Sequence, residues 1–165
     1  MSGSGLRSVL ESIGTDLSML GDLRTGTTLA RIKKIDQQML DAIYYMAFTN
    51  YNAGRLREAE SLFMFLCMHD HRDPRFLTGL GSCRCEQGNH EFAIELLKLS
   101  SQIDKDNPHT LIALASAYRS LGELENAKAA LADAMKVIDE DPSLVQERQK
   151  AERLSLILQK DESDV

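Results

Sequence analysis

The 165-residue chain is long enough for one domain built around one continuous core. Its formal net charge of -6 excludes the basic stripe that nucleic acid requires, and no stretch approaches the roughly 18 consecutive apolar residues of a spanning helix, so stable membrane insertion is not expected. At 43% hydrophobic and 27% charged, with three prolines and no tryptophan, the composition is that of a globular protein rich in helix formers.

Residues 1–5, Met1-Ser2-Gly3-Ser4-Gly5, carry no basic region, and no apolar segment with a small-residue cleavage site follows them, which points to the cytosol. Over 6–23, Leu6, Val9, Leu10, Ile13, Leu17, Leu20 and Leu23 recur at helical spacing on one face, interrupted by Gly14 and Gly21. An amphipathic helix is predicted there. Its stripe needs a cover, either a second copy of the chain or the body of the same chain. A short helix is predicted over 27–35.

From there the chain repeats. Gly54, Gly88 and Gly122 are spaced 34 residues apart, as are Ala59, Ala93 and Ala127, and Pro74, Pro108 and Pro142. Met46, Leu80 and Leu114 form another series in the same register, as do Phe63, Leu97 and Leu131, and the small residues Ala47, Gly81 and Ala115. The glycines sit between two helical patterns, where a residue of positive φ ends a helix. The small residues let paired helices approach. Asp73-Pro74, Asn107-Pro108 and Asp141-Pro142 each read as an N-cap followed by proline in the first turn. The last of these opens a helix through about 160, with a polar outer face suited to capping a solenoid, and 161–165 is a solvated tail.

This pattern resembles the tetratricopeptide repeat. It implies an all-α solenoid of three helix-turn-helix repeats (about 40–73, 74–107 and 108–141), preceded by an N-terminal amphipathic helix and followed by a C-terminal capping helix. The domain organisation is then an arm at 1–35, repeats over 36–141 and a cap at 142–165. Ile43, Leu77 and Leu111 stand where an aromatic is usual, as do Asn50 and Arg84, and Ser100 replaces a usual alanine.

No catalytic or metal constellation emerges. Cys83 and Cys85 are two apart on a helix and diverge, which is poor zinc-ligand spacing even with His69 and His71 nearby. Cys67 lacks the basic surroundings of a nucleophile. Gly79-x-Gly81 falls inside a helix and is no phosphate loop. An enzyme is not expected, and neither is a cofactor. The distinctive cluster is aromatic: Tyr44, Tyr45, Phe48 and Tyr51 crowd the first helix of repeat one, with Tyr44, Phe48 and Tyr51 at i, i+4 and i+7. The repeat register makes Ile43, Met46, Ala47 and Asn50 the core positions of this helix, which turns the aromatics to the concave surface. There tyrosine offers a peptide a large rigid area with a polar tip. Equivalent positions are Arg75, Thr78, Ser82 and Cys85 in repeat two, and Ile112, Ser116 and Arg119 in repeat three. The groove is thus aromatic at one end and small or polar beyond.

The runs Tyr44-Tyr45-Met46-Ala47-Phe48, Tyr51-x-x-Gly54, Ala59-Glu60-x-x-Phe63-x-x-Leu66-Cys67 and Gly79-Leu80-Gly81-Ser82-Cys83-Arg84 resemble the class II (SycD/LcrH-like) chaperones of type III secretion translocators, over about residues 20–158. The resemblance implies a chaperone of the bacterial cytoplasm that holds an extended segment of a hydrophobic translocator and keeps it soluble and unassembled. It implies Tyr44, Tyr45, Phe48, Tyr51, Phe65, Thr78, Ser82 and Cys85 as client-binding residues. It also implies a homodimer formed through Val9, Leu10, Ile13, Leu17 and Leu20. The alternative is a tetratricopeptide scaffold in an unrelated complex.

Overall fold

A computed structural model describes residues 36–163. Among them the elements are all helices: α1 (Gln37–Asn52), α2 (Leu56–His69), α3 (Pro74–Glu86), α4 (His90–Ile103), α5 (Pro108–Ser120), α6 (Leu124–Glu140) and α7 (Val145–Ser163). Each second helix packs on its own first helix and on the first helix of the next pair, and α7 packs on α5 and α6. The result is the expected all-α solenoid with its terminal helix in place. The predicted arm at 1–35 lies outside the described residues.

The turn inside each repeat is a chemical copy of the others. Gly54, Gly88 and Gly122 take φ of 72°, 84° and 75°, a region open to glycine without steric cost. Each glycine N–H donates three residues back, to Tyr51, Cys85 and Arg119 O. The next N–H, of Arg55, Asn89 and Glu123, donates to Asn50, Arg84 and Tyr118 O at 2.9–3.0 Å. This is a Schellman closure made three times. First helices start from side-chain caps: Asp36, Asp73 and Asn107 accept from the N–H groups of Gln38, Arg75 and His109, and Pro74 and Pro108 follow in the first turn.

Two buried clusters form the core. One gathers Leu40, Ala47, Phe63, Leu66, Phe76, Leu77 and Leu80 from the first three helices, with Cys67 and Cys83. The other gathers Leu97, Leu111, Leu114, Leu131 and Ile138, closed by Ala151, Leu154 and Leu158 of α7. The close approach at Gly81 is real: a Cβ there would lie 2.8 Å from Leu97 Cγ.

Three expectations are corrected. Met46 is 57% exposed, whereas its register partners Leu80 and Leu114 are buried. The preceding second helix covers those two, and no described helix precedes α1. Helix α1 instead buries Leu40 and Ala47, with Ile43, Tyr44 and Tyr51 packed partly against the same cluster. Secondly, Pro142 does not open a helix. Helix α6 has 17 residues where α2 and α4 have 14, so it runs through Glu140 with Ile138 buried beneath its extra turn. Asp141 is its C-cap and accepts from Ser143 N at 2.9 Å in a turn, and α7 begins only at Val145. Thirdly, Asp161 belongs to α7 rather than to a tail and pairs with Arg119 at 2.7 Å.

Candidate functional site

Polar contacts join the first helices of successive repeats side by side. Arg75 of α3 reaches Asp41 of α1 at 3.0 Å, Thr78 of α3 meets Thr110 of α5 at 2.7 Å, and Arg119 of α5 pairs with Asp161 of α7. Stacked helix pairs of this kind present a continuous face built from their first helices.

The aromatic end of this face is layered. The Tyr44 ring is half-buried, with Phe63 edge-on at 6.0 Å, Phe76 at 6.0 Å and Phe48 stacked outside it at 6.3 Å. The Arg75 guanidinium lies 5.1 Å above Tyr44 and is held by Asp73 and Asp41. Burial raises the Tyr44 phenol above its ordinary value, and Arg75 opposes part of that rise. Phe48 is 45% exposed and Tyr45 74% exposed. The helix therefore offers outward aromatic area backed by a rigid interior ring.

Further along, Tyr51 is half-buried, and burial together with nearby Glu86 pushes its phenol up to about 12. Cys85 is half-buried with its Sγ 3.6 Å from His90 Nδ1, while Cys83 is fully buried. Burial, then Glu86, raises the Cys85 thiol above its ordinary value. Ser82 is half-buried. Thr78 is also half-buried, and its hydroxyl turns inward to Ser100 and Thr110.

Phe65 stands apart from this set. It lies on α2 and packs against His69 of its own helix at 4.0 Å, while His69 Nδ1 meets Phe65 O at 2.7 Å. Arg75, a predicted concave position of repeat two, and Phe76, which the register does not single out, both lie beside Tyr44. A cleft of about 420 Å³ is lined by Leu56, Arg57, Glu60 and Gln87, none of them a predicted client-binding residue. There Glu60 is tied to Arg84 at 2.5 Å and to Gln87 at 2.7 Å. No group of three metal-ligating side chains occurs among the described residues, and no described helix is long and apolar enough to cross a membrane. The predicted dimerisation residues Val9, Leu10, Ile13, Leu17 and Leu20 lie outside the described residues.

The tetratricopeptide repeat model matches residues 84–147. Low calcium response locus protein H of Yersinia pseudotuberculosis is 32% identical over 126 residues, which is 76% of this chain and 75% of that protein. The chain belongs to the LcrH/SycD family. A type III secretion complex from Aeromonas hydrophila superimposes with a TM-score of 0.76 at 29% identity, over 90% of this chain and 97% of that one. A second member of the family, the Yersinia enterocolitica translocator chaperone SycD, was solved with a peptide of the translocator YopD. It superimposes with a TM-score of 0.68 at 29% identity, over 79% of this chain and 97% of that one.

Proposed function

We propose that this chain is a chaperone of type III secretion translocators, acting in the bacterial cytoplasm. It holds an extended client segment along the face built by α1, α3 and α5, and so keeps the client soluble and unassembled. The observation that carries the reading is the exposed Tyr45–Phe48 surface backed by Tyr44, which gives a client apolar anchor a rigid seat. The YopD peptide bound to the family member SycD supports it. A groove that binds the aggregating segment lowers the free concentration of the aggregating species, and moderate affinity suffices, so release needs no chemical step. The client-binding set is Tyr44, Tyr45, Phe48, Tyr51, Thr78, Ser82 and Cys85. The arm at 1–35 serves self-association through its apolar stripe, and the dimer of the family member SycD supports pairing of two copies.

Co-expression with the translocators of the same secretion locus tests the function. A translocator that becomes soluble only with this chain, and no longer does so with Phe48→Ala, is the expected result. Recovery of an unrelated folded assembly and no translocator would favour a general scaffold instead. Deletion of residues 1–22 should convert dimers to monomers in sedimentation; a monomeric full-length chain would remove the dimerisation role.

A further inference from the structure

Three hydroxyls meet at the seam between repeats two and three. Thr78 Oγ1 of α3 lies 2.8 Å from Ser100 Oγ of α4 and 2.7 Å from Thr110 Oγ1 of α5. Ser100 also donates to Pro74 O at 2.9 Å. Ser100 and Thr110 are fully buried, so water supplies them with no partner.

One proton per hydroxyl fixes the direction of every bond. The Pro74 carbonyl can only accept, so the Ser100 proton goes there. Ser100 must then accept from Thr78, whose own proton is thereby used. Thr78 must in turn accept from Thr110. The chain reads Thr110 to Thr78 to Ser100 to Pro74 O, with each proton bonded.

Resting on the chaperone reading above, we propose that this chain sets what the second repeat presents to a client. Thr78 is half-buried on the client face with its hydroxyl proton committed inward. It offers the client its methyl group and at most one acceptor lone pair, and it has no donor to give. The client group seated there is an apolar side chain or an N–H donor. A carboxylate or a lone backbone carbonyl is disfavoured, since it would meet an oxygen that cannot donate to it. Ser100 and Thr110 act as positioning residues, because they orient Thr78 without touching the client.

The geometry also shows how the hydroxyl of Thr78 can be removed harmlessly. Thr110 Oγ1 already lies 3.4 Å from Ser100 Oγ. In Thr78→Val, the Thr110 proton turns to Ser100, whose own proton still reaches Pro74 O, and no buried donor is orphaned. Thr78→Val therefore keeps the methyl contact and the fold. Thr78→Ala deletes the methyl. Ser100→Ala releases the Thr78 proton toward the groove.

The experiment measures binding of overlapping peptides tiled through the two translocators of the same secretion locus, by titration calorimetry, to wild type and the three variants. Thr78→Ala should bind about fourfold more weakly than Thr78→Val, the worth of one buried methyl. Ser100→Ala should change the rank order among peptides. Folded Thr78→Val that binds as weakly as Thr78→Ala would overturn the proposal, because it would place the hydroxyl on the client. The free protein supplies an independent reading by proton NMR: slowly exchanging hydroxyl protons of Thr78, Ser100 and Thr110 are expected, with the Thr78 proton close to Ser100. A rapidly exchanging Thr78 hydroxyl would refute the chain even if no peptide bound, whereas intact hydroxyls with no peptide bound would count against the chaperone reading alone.

Discussion

Gly79→Ala tests how tightly α3 is packed against the aromatic end of the groove. In an exposed helix the change stabilises by about 1 kcal/mol, because alanine has less backbone freedom to lose. Here the added Cβ would fall inside contact distance of three ring carbons of Phe63, namely Cε1, Cζ and Cδ1. That ring is fully buried and is flanked by Tyr44 at 6.0 Å, so it cannot swing aside without leaving its rotamer. Overpacking costs about 1–3 kcal/mol, and overlap with three atoms of a boxed ring belongs at the upper end. Set against the helix-propensity gain, the net loss is about 2 kcal/mol, or about 4–8 °C in Tm for a chain of this size. Urea denaturation followed by circular dichroism reads it for wild type, Gly79→Ala, Phe63→Leu and the double variant. Leucine at 63 makes room for the methyl, so the double variant should be more stable than additivity predicts by about 1 kcal/mol. A Gly79→Ala protein as stable as wild type, or strict additivity in the double variant, would refute the packing argument.

Asn107→Ala removes a side-chain oxygen that accepts from His109 N at 3.1 Å and Thr110 N at 3.3 Å, and should cost about 1 kcal/mol in denaturant midpoint analysis. His71 is buried, its Nδ1 finds no hydrogen-bond partner among the described residues, and burial lowers its pKa, with Asp70 opposing and Arg72 adding to the shift. A histidine depressed in the folded state binds protons more readily when unfolded, so stability is full above its ordinary range and falls as pH drops through the window below it. Thermal melts between about pH 7 and about pH 5.5 should show that decline, and His71→Gln should flatten it; an unchanged slope would show that other groups carry the pH dependence. Burial pushes the Cys83 thiol up to about 12 and raises Cys67 further, while Cys85 stays half-exposed. An aromatic disulfide reagent should therefore modify Cys85 alone in the native protein, slowly, and all three cysteines after denaturation; native labelling of Cys67 at the Cys85 rate would contradict the burial.

Much of this architecture is legible in the sequence because its rules are local. The 34-residue glycine series predicts three helix ends, and each is closed by the same pair of backbone bonds, since positive φ is a property of one residue. The proline caps hold at Pro74 and Pro108 for the same reason. The aromatic spacing of α1 likewise predicts the exposed ring of Phe48, although Tyr44 and Tyr51 of the same spacing pack partly against the core. Those inferences need only the chain within one turn of the residue concerned.

What the tertiary structure alone decides depends on neighbours far along the chain. Met46 is exposed and Leu80 buried at one repeat position, a difference that the repeat register does not carry. Pro142 falls in a turn because α6 runs one turn longer than its counterparts, held by a core contact at Ile138. Phe65 packs against His69 of its own helix while Phe63, two residues earlier, takes the inward side of α2, a division that only the packing decides. The hydroxyl chain joins residues 74, 78, 100 and 110 from three helices, and no single segment carries its signal. Helix type, repeat register and caps are thus written in the chain itself. Which side of each helix meets protein, and so what the groove can offer a client, is settled only when the repeats stack.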